Sequence, residues 1–188
     1  GSPRVSPRGP MGGGGAPNHT NNHEVFGGTH IMLYLCEKYS AQIYSGDMKH
    51  KSASLGWALF VCSNLSPCAN EYLFCIRNHL YGPQLDHAKR RLLRTLATLE
   101  LRLEEHRYLN GREFSIADLA AIPWISALDK TDRCWDDLAL PKLTNLVGWY
   151  SSCRTRPAMS IGLRVGSNEM FGAYRSYSSP GRVAKISC

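Results

Sequence analysis

Apolar residues recur at intervals of three and four along most of the chain between positions 29 and 155, the spacing that gathers them on one side of an α-helix. The pattern predicts helices over Thr29–Tyr39 and over about 48–65, 69–80, 84–106, 115–129 and 143–155. Breaks fall at Ser66-Pro67, Gly82-Pro83, Asn110-Gly111 and Pro141, where a missing N–H or a permissive glycine interrupts the helical ladder. In the longest segment Leu85, Ala88, Leu92, Leu96, Leu99, Leu103 and His106 form a single stripe, with most of the charged residues elsewhere. Ahead of the first helix, Val25-Phe26 is long enough only for an edge strand or its remnant. The expected fold class is mainly α, a bundle assembled from these amphipathic segments.

The start of the 115–129 helix carries the most local information. Ser115 stands at the N-cap and Asp118 three residues on, so hydroxyl and carboxylate can each satisfy a backbone N–H that the helix leaves without a partner. Phe114 and Leu119 occupy the two positions of a hydrophobic staple. Losing one cap group typically costs about 0.5–2 kcal/mol, so Ser115 and Asp118 are read as structural residues.

Composition narrows the class. The chain has 188 residues, 43% of them hydrophobic, enough for one sizeable core. No run of about 18 apolar residues exists, so a membrane partner is not expected and a cytoplasmic protein is. Net charge is +7, but residues 1–30 carry +1 and residues 151–188 carry +5, leaving +1 for the segment between. The predicted bundle is therefore nearly neutral, which argues against nucleic acid as its partner. Seven cysteines, odd in number and without a Cys-x-x-Cys pair, point to reduced thiols rather than a disulfide framework or a zinc site. His19, His23 and His30 lack the carboxylate or thiol companions that would make a metal centre.

Several spaced motifs agree on one family. Leu99-Glu100-x-x-Leu103, Tyr108-Leu109-Asn110-Gly111, Ser115-Ile116-Ala117-Asp118 and Pro123-Trp124 resemble the C-terminal signature of the glutathione transferases in order and spacing. Leu143-x-Asn145-Leu146-x-x-Trp149 and Arg156-Pro157-Ala158 continue the match, and Phe26 with Ile31–Tyr39 resembles the last strand and helix of the family's thioredoxin-like domain. The flavour is closest to the bacterial and fungal branch that includes the yeast nitrogen regulator and disulfide-reductase-type transferases. The resemblance implies a thioredoxin-like remnant at 24–40 and a C-terminal helical domain at 41–165, while composition reads 1–23 as a Gly/Pro-rich disordered leader and 166–188 as a flexible basic tail.

The same resemblance implies the site. Glutathione would be the co-substrate, held near Gly28 and Thr29, with Pro17 echoing the family's cis-proline. A small electrophile would lie against Trp57, Phe60, Phe74 and Trp124, and the antiparallel helices of 48–106 would form a homodimer interface. No catalytic residue is assigned, because the elements that carry the family's thiol-activating group need more residues than stand before position 24. Family members place an acidic residue and a Ser or Thr where this chain has Gly27-Gly28, so two charge-assisted hydrogen bonds of about 1.5–3 kcal/mol each are missing. The expected function is glutathione conjugation or glutathione-dependent disulfide reduction by a truncated or weakly active protein. The alternative is a non-catalytic interaction module.

Overall fold

The computed structural model describes residues 24–131 and 133–165. The leader with Pro17, His19 and His23, and the tail from residue 166, lie outside the described residues.

Eight α-helices are described: α1 (Gly28–Lys38), α2 (Met48–Phe60), α3 (Ser66–Arg77), α4 (Pro83–Glu105), α5 (Ile116–Asp129), α6 (Cys134–Asp137), α7 (Thr144–Arg154) and α8 (Pro157–Val165). Short 3-10 turns at Gln42–Tyr44 and Leu140–Lys142 link them. Val25-Phe26 is not a strand. Val25 is buried but Phe26 is 70% exposed, and no named strand exists among the described residues for either to pair with.

The expected break at Ser66-Pro67 is absent too. Residues 48–77 run as one helical rod, because a π-turn at Val61–Leu65 joins α2 to α3. There the Ser66 N–H reaches back five residues to the Val61 carbonyl, and the widened turn lets the chain pass Pro67, which has no N–H to give.

α5 is the hub. Ten of its fourteen residues are buried, and it touches α1, α2, α3, α6, α7 and the π-turn. The predicted stripe of α4 packs against α3 and α7, with Ala88, Leu92, Leu96 and Leu99 inaccessible to solvent and Leu103 nearly so.

At the head of α5 the Asp118 carboxylate, itself inaccessible, collects four donors. Oδ1 accepts from the Leu109 N–H at 2.9 Å and the Trp149 indole N–H at 2.8 Å. Oδ2 accepts from the Ser115 N–H at 2.9 Å and the Ser115 hydroxyl at 3.0 Å. Burial pushes this carboxyl above its ordinary value, and the donors pull it back. Arg156 lies 4.1 Å from the centre of the Phe114 ring, and Tyr108 meets that ring edge-on at 5.8 Å. The widely spaced motifs of the sequence thus converge on one knot.

α7 lacks a cap of its own and takes one from α4. Glu100 Oε1 accepts from the Asn145 N–H at 3.1 Å and its side-chain amide at 2.9 Å, and Oε2 from the Leu146 N–H at 2.8 Å. A carboxylate at a helix N-terminus also complements the macrodipole. Glu100→Ala is therefore expected to lower stability by about 1–2 kcal/mol. Urea unfolding checks this, and an unchanged midpoint would show that water caps α7 equally well.

A second polar tie holds the 131–143 segment. Asp137 accepts from the Tyr72 hydroxyl and from Lys89, both at 2.5 Å. Burial pushes the Asp137 carboxyl up, but these two hydrogen bonds and the nearby Lys89 and Arg133 charges together outweigh it and leave it below the usual carboxylate value.

Candidate active-site cleft

A cavity of about 670 Å³ opens between the N-terminus of α1, the junction of α2 with the π-turn, and the middle of α5. Each wall has a local cause. On the 48–66 rod, Leu55, Leu59, Cys62 and Ser66 follow one another at spacings of four, three and four, so one face of the rod looks into the cleft. On α5, Leu119 and Pro123, and beside them Ala120 and Trp124, stand one helical turn apart and share one face. Pro123 has no N–H to offer the Leu119 carbonyl, which leaves a backbone acceptor in a wall that is otherwise apolar.

α1 contributes the polar end. Its first intrahelical bond runs from the Ile31 N–H to the Gly27 carbonyl at 2.9 Å, and no side chain caps it. The N–H groups of Gly28, Thr29 and His30 precede that bond and so lack helical acceptors, at a terminus that attracts negative charge. Gly27 holds φ +80°, a conformation that L side chains rarely adopt, whereas an added Cβ at Gly28 would meet open space.

The expected site residues separate into three groups. Gly28, Thr29 and Trp124 line the cleft together. Trp57 and Phe60 do not. Their rings meet edge-on at 5.4 Å beside a different groove, lined also by Ala53 and Gly56, with the Arg102 guanidinium 5.2 Å from the Trp57 ring. Phe74 lines neither cavity and is 46% exposed. Sequence reasoning missed Met32, Leu33, Leu55, Leu59 and Cys62 as lining residues, although the 55/59/62/66 spacing is a signal that could have found four wall positions.

The thiols divide in the same way. Cys36, Cys68, Cys75, Cys134 and Cys153 are buried, and burial pushes Cys153 up to about 12, so it packs rather than reacts. Cys62 is exposed and faces the cleft. Among the described residues no group of His, Cys, Asp and Glu could hold a metal ion, and no helix is long and apolar enough to cross a membrane.

The helical fold that carries this cleft is shared with solved glutathione transferases. Residues 82–152 match the family model described as glutathione S-transferase, C-terminal domain. The disulfide-bond oxidoreductase YfcG of Escherichia coli (strain K12) is 30% identical over 138 residues, covering 71% of this chain and 60% of that protein. The disulfide-bond oxidoreductase YghU of the same organism is 30% identical over 156 residues, covering 77% and 52%. A glutathione transferase from Burkholderia graminis, solved with two glutathione molecules bound per subunit, superposes with a TM-score of 0.71 at 24% identity, covering 76% of this chain and 61% of that one. Residues 82–152 thus match the family's C-terminal domain, and the chain shares its fold with solved glutathione transferases. It spans between half and three fifths of the length of those two bacterial oxidoreductases.

Proposed function

We propose that the protein works in the cytoplasm as a glutathione-transferase-type enzyme, joining glutathione to an apolar electrophile or using it to reduce a disulfide. The observation that carries this reading is the cleft, in which uncapped N–H groups at Gly28 and Thr29 stand at the polar end of an apolar wall that includes Trp124. A carboxylate of glutathione would meet the α1 terminus, and its sulfur substituent would lie along Leu55, Leu59 and Trp124. The similarity to disulfide-bond oxidoreductases supports the reductive option. Glutathione affinity is weak in this reading, because Gly27-Gly28 present neither the carboxylate nor the hydroxyl that family members use.

The same two positions supply the test. Gly28→Ser places a hydroxyl at the first turn of α1, where a Cβ meets nothing within 4 Å, and is expected to tighten glutathione binding about tenfold. Gly27→Glu adds the family's carboxylate at φ +80° and is expected to lose about 1–3 kcal/mol of stability through backbone strain. Calorimetric titration with glutathione and thermal melts read the two effects. An unchanged affinity in Gly28→Ser, with the fold intact, would count against glutathione at this helix end.

The non-catalytic interaction module is favoured by one observation, the half-buried aromatic groove at Trp57 and Phe60 on the rod. In the enzymatic reading this surface is the homodimer interface. A dimer by sedimentation that Trp57→Ala dissociates supports the enzyme, and a monomer that captures no glutathione supports the module.

A further inference from the structure

Two prolines stand beside the cleft, one at each of its long walls. Pro123 lies inside α5 and lines the cleft together with Leu119, one helical turn earlier. Pro67 is the second residue of α3 and follows Ser66, which lines the cleft from the rod together with Cys62. A proline has no N–H, so each leaves a main-chain carbonyl without the donor that its helix would supply.

On α5 that carbonyl belongs to Leu119, four residues before Pro123. On the rod the π-turn decides which it is. Bonds in a π-turn span five residues, and the Ser66 N–H goes to the Val61 carbonyl. The next bond of the pattern would run from residue 67 to the Cys62 carbonyl, and residue 67 is proline. The polar side chains that follow Cys62 are engaged further back, the Ser63 hydroxyl donating to the Leu59 carbonyl at 2.8 Å and the Asn64 amide to the Phe60 carbonyl at 3.4 Å. Two acceptors therefore belong to residues on two different walls of one cavity.

The simplest competing account is that both prolines only shape their helices and that solvent satisfies the two carbonyls. That account holds while the cleft has no guest. A guest that lies along the walls displaces the solvent, and an acceptor covered without a donor then weakens its binding. The Leu55, Leu59 and Ala120 side chains around the carbonyls have no donor to give. The donor has to come with the guest.

Charge narrows the class of that donor. An ammonium group would also satisfy carbonyls, but the uncapped terminus of α1 opens on the same cleft and disfavours positive charge. A neutral hydroxyl suits both, and a flat ring suits the Trp124 indole. We propose that the cleft selects an aromatic guest bearing a neutral hydroxyl, and that the Leu119 and Cys62 carbonyls are the groups that select it. This inference rests on the cleft as the ligand site of the proposed function, but not on glutathione as its occupant.

The test is equilibrium dialysis of the full chain against 2-naphthol and 2-methylnaphthalene, a pair of nearly equal size that differ by a hydroxyl and a methyl. In an apolar cleft without an acceptor the methyl compound binds about tenfold more tightly, because the hydroxyl gives up its water for nothing. The expected result here is 2-naphthol bound at least as tightly as its partner. The double variant Pro67→Ala with Pro123→Ala restores both N–H groups and should swing the ratio about tenfold toward the methyl compound. Alanine is favoured over proline inside a helix, so this variant should fold, which circular dichroism verifies. His30→Leu and Ser66→Ala remove side-chain acceptors that also line the cleft and should leave the ratio as it is. A parent chain that prefers the methyl compound, a double variant with no swing, or a ratio that follows His30 or Ser66 instead overturns the inference. S-hexylglutathione, run alongside, keeps the two readings apart. Its binding without a hydroxyl preference removes this inference and leaves the enzyme, and a hydroxyl preference without its binding does the reverse.

Discussion

Asp118→Ala is expected to be the most destabilising single change in the domain, at about 3–5 kcal/mol, although it alters no apolar core residue. Three buried N–H donors, from Leu109, Ser115 and Trp149, lose their acceptor at once, and the methyl group that replaces the carboxylate can satisfy none of them. Each orphaned donor costs about 1–3 kcal/mol. Allowing for partial relaxation, the sum is about 3–5 kcal/mol, a large share of the 5–15 kcal/mol that typically separates folded from unfolded chains. Asp118→Asn is expected to cost less. Its single carbonyl can serve Leu109 and Trp149, and its amide can donate to the Ser115 hydroxyl but opposes the Ser115 N–H. Chemical denaturation followed by circular dichroism separates the variants, and an Asp118→Ala stability within about 0.5 kcal/mol of the parent would show that the knot is not what holds α5, α7 and the 108–111 turn together.

That knot was legible because its logic is local. A serine, an aspartate three residues on and flanking apolar residues state the cap in four positions, and the buried carboxylate of Asp118 follows from them. What Asp118 does beyond its own helix was not legible, since Leu109 and Trp149 reach it from nine and 31 residues away. Glu100 is the same case at greater distance, a residue with ordinary helical surface chemistry until the fold sets it under α7, 45 residues later.

The helices themselves were legible from periodicity, with two failures of different kinds. Pro67 signals a break by the usual steric rule, yet a π-turn absorbs it, and no local pattern distinguishes the two outcomes. Val25-Phe26 has strand-forming residues but no described strand to join, and a strand is defined by its partner. The site was half legible. Choosing Trp57 and Phe60 by residue type ignored helical phase: Leu55 and Leu59 bracket Trp57 on the rod and point into the cleft, while Trp57 itself points elsewhere. Trp124 does line the cleft, and its neighbour Pro123 had tied it to a recognisable motif on α5.

Trp124 therefore carries the largest functional expectation. In the parent chain, a series of S-alkyl glutathiones of increasing length should bind more tightly with each methylene, because the tail extends along Leu55, Leu59 and the indole. Full burial of a methylene contributes about 0.8 kcal/mol, which is about fourfold in affinity per carbon, and an open cleft should realise rather less. Trp124→Ala removes the broadest wall. The increment per methylene should then fall below about twofold, while the S-methyl compound, whose contacts are with the α1 end, changes little. The slope, unlike a single affinity, is insensitive to how weakly glutathione itself is held, and it separates a lost wall from a damaged fold, which would weaken every member of the series equally. A slope identical in the two proteins would mean that the tail lies outside the cleft, and the apolar electrophile would have to be sought on the Trp57 and Phe60 surface instead.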